Sequence, residues 1–119
     1  VRHSRPLVIY VDVDDTLVRS YGSRQIPITG VIERLRLLCA EDGVVAYCWS
    51  SGGAEYARGV AERLGIAELF LAFLPKPNLM IDDQPPSAWP DVCVLHPNEA
   101  MSTDAAAARL KLGWAEDDE

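Results

Sequence analysis

At 119 residues, with 49% hydrophobic and 24% charged side chains, the chain has the proportions of one folded globular domain rather than of a disordered or fibrous protein. A formal net charge of −7 argues against a non-specific nucleic-acid surface, because gripping a phosphate backbone takes clustered Lys and Arg. No stretch approaches the roughly 18 apolar residues of a membrane span, no apolar signal region opens the chain, and Cys39, Cys48 and Cys93 form no Cys-x-x-Cys pair; they read as small core hydrophobes in a reducing, cytoplasmic setting.

Val1 to Pro6 is a basic lead-in, with His3 a solvated residue in it. Leu7-Val8-Ile9-Tyr10-Val11 is a short apolar run rich in β-branched residues and reads as a buried strand. It runs directly into Asp12, Asp14 and Asp15. Residues 15–28, with Tyr21, Gly22, Ser23 and Pro27, form a turn-rich connection with no room for an inserted domain. Thr29 is a candidate N-cap for a helix whose Val31, Ile32, Leu35, Leu38 and Cys39 share one face, and Asp42-Gly43 closes it. Val44 to Trp49 is a second strand, leading into Ser50-Ser51-Gly52-Gly53.

A second helix carries Ala54, Ala57, Val60, Ala61 and Leu64 on one face and stops at Gly65. A turn through Phe70 and a short strand over 71–74 follow, broken by Pro75-Lys76-Pro77. Leu79-Met80-Ile81 is read as a fourth strand ending in Asp82-Asp83, and Val92-Cys93-Val94-Leu95 as a fifth ending at His96. Ser102 or Thr103 caps a last helix running through Leu112 to Gly113, and the acidic tail, about 115–119, is expected to fray. Alternating strands and helices predict a parallel sheet covered by helices on both faces.

In open parallel sheets the ligand crevice lies beyond the carboxyl ends of the strands. The polar residues cluster at those stations: Asp12, Asp14 and Asp15 after the first strand, Ser50 after the second, Lys76 before the fourth, Asp82 and Asp83 after it. Acids brought together repel unless a positive partner joins them, and a hard divalent cation such as Mg2+ is the simplest one. A carboxylate can attack phosphorus to form an aspartyl-phosphate. That chemistry needs charge neutralisation around the phosphoryl group and an acid for the leaving oxygen. Asp12, at the strand terminus, has the best-fixed position for the nucleophile. Asp14, two residues on, can face the leaving group; Ser50 offers a hydroxyl near backbone N–H groups, and Lys76 a positive charge. Asp82 and Asp83 can complete a metal site with Asp12.

Asp12-Val13-Asp14-Asp15-Thr16-Leu17 resembles the first motif (D-x-D-x-T-L) of the haloacid dehalogenase superfamily. Ser50, ending an apolar strand, is similar to the second motif, Lys76 in Lys76-Pro77 to the third, and Ile81-Asp82-Asp83 to the fourth; together they span residues 7–83 in the family's order. The resemblance implies a Rossmann-like α/β fold with a five-stranded parallel sheet in the order 5-4-1-2-3, and a Mg2+ cofactor. It implies Asp12 as nucleophile and metal ligand, Asp14 as general acid/base and backbone-carbonyl ligand, and Ser50 and Lys76 as holders of the phosphoryl group. Strand alternation favours Asp83 as the direct metal ligand of the acidic pair, with Asp82 orienting Lys76 or a metal-bound water. Asp15 fills a variable position of the motif and is given no role.

An acid at Asp14 points to the phosphatase or phosphomutase branches of the family. Both usual insertion points for a cap domain are empty, so the expectation is a capless, Mg2+-dependent phosphomonoesterase with an open site. Its partner is a phosphorylated substrate, large or small, and a second copy of the chain is one way to cover a small one. Two alternatives stand beside it. A catalytically idle module on the same fold would need no such set of residues. A phospho-receiver domain has similar parts but, as a family, places its acidic pair first and its Lys last, the reverse of the order here.

Overall fold

The computed structural model describes residues 5–114. The lead-in residues 1–4, including His3, and the acidic tail from 115 onward lie outside the described residues. Among the described residues five strands form: β1 (Leu7–Val11), β2 (Val18–Tyr21), β3 (Arg24–Pro27), β4 (Val44–Ser50) and β5 (Phe70–Pro75). The helices are α1 (Thr29–Cys39), α2 (Ala54–Arg63), α3 (Pro97–Ala100) and α4 (Ala105–Lys111).

β1, β4 and β5 make a three-stranded parallel sheet in that spatial order, with Leu7 opposite Val44 and Val11 opposite Cys48. These are the first three predicted strands, in the neighbour order expected for them. Their inward residues, among them Val11, Ala46, Cys48 and Phe70, pack with Val31 and Leu35 of α1 and with Ala57, Val60 and Ala61 of α2 in one core. An apolar stripe at 3.6-residue spacing needs such a partner face to form a stable helix. Thr29 turns out to be the first residue of α1 rather than its cap, since Ile28 occupies the cap position without a side-chain bond. α4 is capped by Asp104, whose carboxylate accepts from the Ala107 amide at 2.8 Å, and not by Ser102 or Thr103.

The five-stranded parallel sheet is not what forms. β2 and β3 are a separate antiparallel hairpin, built from what reads in sequence as a connection. The fourth and fifth predicted strands, residues 79–81 and 92–95, have no strand structure, and Ile81 and Val94 stand 95% and 88% exposed. Each is a run of three or four residues hemmed by prolines (Pro75 and Pro77, Pro85 and Pro86, Pro90, Pro97), which supply no N–H to a ladder and prevent lengthening. Among the described residues helices do not cover both faces either: α1 and α2 share one side, while Val8 and Tyr10 on the other remain about half exposed. There Tyr10 packs against Tyr47 and edge-on to Trp49, with ring centroids 5.1 and 4.9 Å apart. No helix among the described residues is long and apolar enough to cross a membrane.

Candidate active site at the ends of the parallel strands

Beyond the end of β1 the chain folds into a tight turn around one carbonyl. Val13 O accepts from the amides of Thr16, Leu17 and Val18. Val13 and Leu17 are wholly buried, so two apolar side chains pin the loop to the core while Asp12 and Asp14 stay on its polar side. Asp15 takes φ +62°, a left-handed conformation that Asp tolerates better than most residues. Its place in the motif is thus that of a turn residue.

Asp12 is held from two sides. Its Oδ1 lies 3.0 Å from Lys76 Nζ, and its Oδ2 accepts from the Thr16 hydroxyl at 3.1 Å. The carboxylate remains one-third exposed. Lys76 is itself fixed by its backbone, whose amide donates to Ser50 O at 2.9 Å, and its ammonium lies 5.9 Å from the centroid of the Trp49 ring. Two strand ends and one loop therefore converge on the Asp12–Lys76 pair.

Ser50 closes β4 and is 1% exposed. Its Oγ accepts from the Gly52 amide at 3.0 Å and its carbonyl from the Gly53 amide, in the turn that leads into α2. Asp14 is tied to α2, because Tyr56 Oη donates to Asp14 Oδ1 at 2.7 Å. That bond is the leading reason the Tyr56 phenol is raised above its ordinary range, with partial burial adding to it. The same hydroxyl accepts from Gln25 Nε2 at 2.8 Å, which brings β3 against the site.

Asp82 and Asp83 are not brought to this point. Both are exposed, and Asp82 Oδ1 accepts instead from the Gln84 amide at 3.0 Å, a local turn. Among the described residues no group of three or more His, Cys, Asp or Glu side chains could hold a metal ion. The donors are the hard oxygens that suit Mg2+, but as arranged they do not assemble a site for it.

Two surface grooves of about 370 and 360 Å3 lie elsewhere, one between the hairpin and the start of α1, the other between the start of β1 and Trp114. Asp12 lines neither. Thr16, Gln25 and Tyr56 were missing from the sequence-derived set. Thr16 stands inside the first motif and was there to be assigned. Tyr56 and Gln25 carry no local signal, since their contacts cross 42 and 31 positions of sequence. Comparison with family models, curated proteins and solved structures finds no match to this chain.

Proposed function

We propose that the protein is a phosphomonoesterase that works through an aspartyl-phosphate on Asp12. The observation that carries this reading is the partly exposed Asp12–Lys76 pair at 3.0 Å, with a second carboxylate, Asp14, two residues away in the same turn. A nucleophilic carboxylate needs a neighbouring cation to accept the phosphoryl oxygens as they arrive. Lys76 is placed to pass from the carboxylate to those oxygens without moving its backbone.

In the first step an Asp12 oxygen bonds to phosphorus in line with the departing oxygen. The P–O bond to the leaving group breaks, and a proton passes from the Asp14 carboxyl to that oxygen. In the second step water attacks phosphorus, Asp14 takes its proton, and the bond to Asp12 breaks to release phosphate. Ser50, with its turn amides, and Lys76 hold the phosphoryl group in this scheme. An open site admits a large phosphorylated partner as readily as a small one. The Mg2+ requirement implied by the motif set belongs to the same proposal; Asp12 and Asp14 are its candidate donors, and Asp82 or Asp83 would have to leave the exposed turn in which they stand to join them.

Hydrolysis of p-nitrophenyl phosphate, with and without Mg2+ and beside the Asp12→Asn protein, tests the reading. Mg2+-dependent release that vanishes in the variant, while its circular dichroism stays that of the wild type, is expected. Full activity in Asp12→Asn would remove the nucleophile from the scheme. The separation of Asp82 and Asp83 from Asp12 favours a second reading, an idle binding module on the same fold. Absence of release from wild-type protein together with no calorimetric Mg2+ binding would select it.

A further inference from the structure

Tyr56, which no motif contains, joins more of the site's parts than any motif residue does. Its hydroxyl bonds Asp14 of the acid loop and Gln25 of the hairpin. Gln25 Oε1 in turn accepts from Arg63 in the last turn of α2, so the hairpin is held by both ends of that helix. The Tyr56 ring lies on Gly52: a Cβ there would come within 2.9 Å of Tyr56 Cδ2, closer than such atoms pack. Gly52 is also the residue whose amide bonds Ser50 Oγ. The acid loop, the hairpin and the Ser50 turn, remote in sequence, thus meet on one side chain.

We propose that Tyr56 is a positioning residue for Asp14 and a latch for the hairpin, an inference that rests on the phosphatase reading above. Its hydroxyl fixes one oxygen of the Asp14 carboxyl and leaves the other to hold and deliver the proton. Through Gln25 the same hydroxyl links that orientation to the seated position of β2 and β3. Asp14 is exposed and, without this bond, turns freely about its side-chain torsions. Tyr56 itself does not touch the reacting atoms. General acid catalysis contributes about 10²–10⁴-fold, and a carboxyl that is present but unaimed forfeits part of that.

The test is Tyr56→Phe, which keeps the ring on Gly52 and removes one oxygen. A proton donor matters most when the leaving group is poor, and kcat/KM reports the steps through its departure. The expected loss in kcat/KM is about tenfold on phenyl phosphate and under about twofold on p-nitrophenyl phosphate, whose leaving group departs with little help. A purely structural defect would lower both alike, so equal losses, or none on phenyl phosphate, overturn the positioning role. Amide hydrogen exchange over residues 19–26, in Tyr56→Phe and in Gln25→Leu, tests the latch: faster exchange in both is expected, and wild-type rates in both overturn it. If wild-type protein hydrolyses neither ester, the phosphatase reading fails and takes the positioning role with it, while the exchange rates still decide the latch.

Discussion

Cys48 shows how the charge of the site reaches into the core. It pairs in register with Val11, one residue before Asp12, and is wholly buried. Its thiol is pushed up to about 12, first by burial and then by the Asp12 carboxylate. In an unfolded chain the same thiol ionises at about 9. Between those values the folded state keeps a proton that the unfolded state has lost, so stability falls as pH rises from about 9 toward 12. Urea unfolding at stepped pH over that window should show the decline in wild-type protein and a flatter profile in Cys48→Ala. Below it Cys48 is inert, since the thiolate is the reactive form. A thiol reagent at neutral pH therefore labels the exposed Cys93 well before Cys48. At this scale the catalytic candidates were legible because few residue types can do the chemistry; their partners were not, because Tyr56 and Gln25 become neighbours of Asp14 only through folding.

Among the elements, the acid loop depends most on residues that carry no chemistry. Leu17 follows the motif's polar residues, yet it is fully buried and, with Val13, sets where Asp12 and Asp14 stand. Leu17→Ala should cost about 2–5 kcal/mol, as large-to-small changes in a packed core do, measurable as a lowered urea midpoint with unchanged m-value. A cost near zero would mean the loop is not anchored there. Sequence reads elements well where the apolar run is long enough to declare its period. β1, β4, α1 and α2 all did so, and Gly65 stopped its helix with φ +72°. The hairpin was passed over although Gly22-Ser23 between Tyr21 and Arg24 is a two-residue turn signal. The segments at 79–81 and 92–95 misled for the opposite reason. Three or four apolar residues are as consistent with an exposed loop as with a strand, and only pairing, which is not local, decides between them.

The whole molecule is unevenly built. Its radius of gyration, 14.8 Å, exceeds the roughly 13.5 Å expected for this length. The parallel sheet ends at Pro75; of the described residues beyond it, most up to Ala100 are exposed, while Thr103, Ala105 and Arg109 are buried. This segment is tied back by Met101, which packs on the core and whose carbonyl accepts from Arg34, and by Arg109 on α4, 6% exposed. Its guanidinium donates to Arg5 O at 2.8 Å and to Gly43 O at 3.4 Å, at the opposite end of the strands from the candidate site. Nearby, Arg5 pairs with Asp91 and stacks on Trp114. Losing Arg109 takes the donor from Arg5 O, while Gly43 O keeps the Leu7 amide; a carbonyl left unpaired costs about 1–3 kcal/mol. Arg109→Ala should show that loss in urea, and limited proteolysis should cut beyond Pro75 sooner than in wild-type protein. An unchanged cleavage pattern would mean that other contacts hold the C-terminal third.

The placement of Lys76 over Trp49 gives the chain a built-in optical signal. An ammonium beside an indole alters its emission, and here the ammonium is the one that neutralises Asp12. On the proposed mechanism, phosphorylation of Asp12 would draw Lys76 toward the phosphoryl oxygens and change its distance from that ring. Tryptophan fluorescence would then follow the proposed intermediate without an added label.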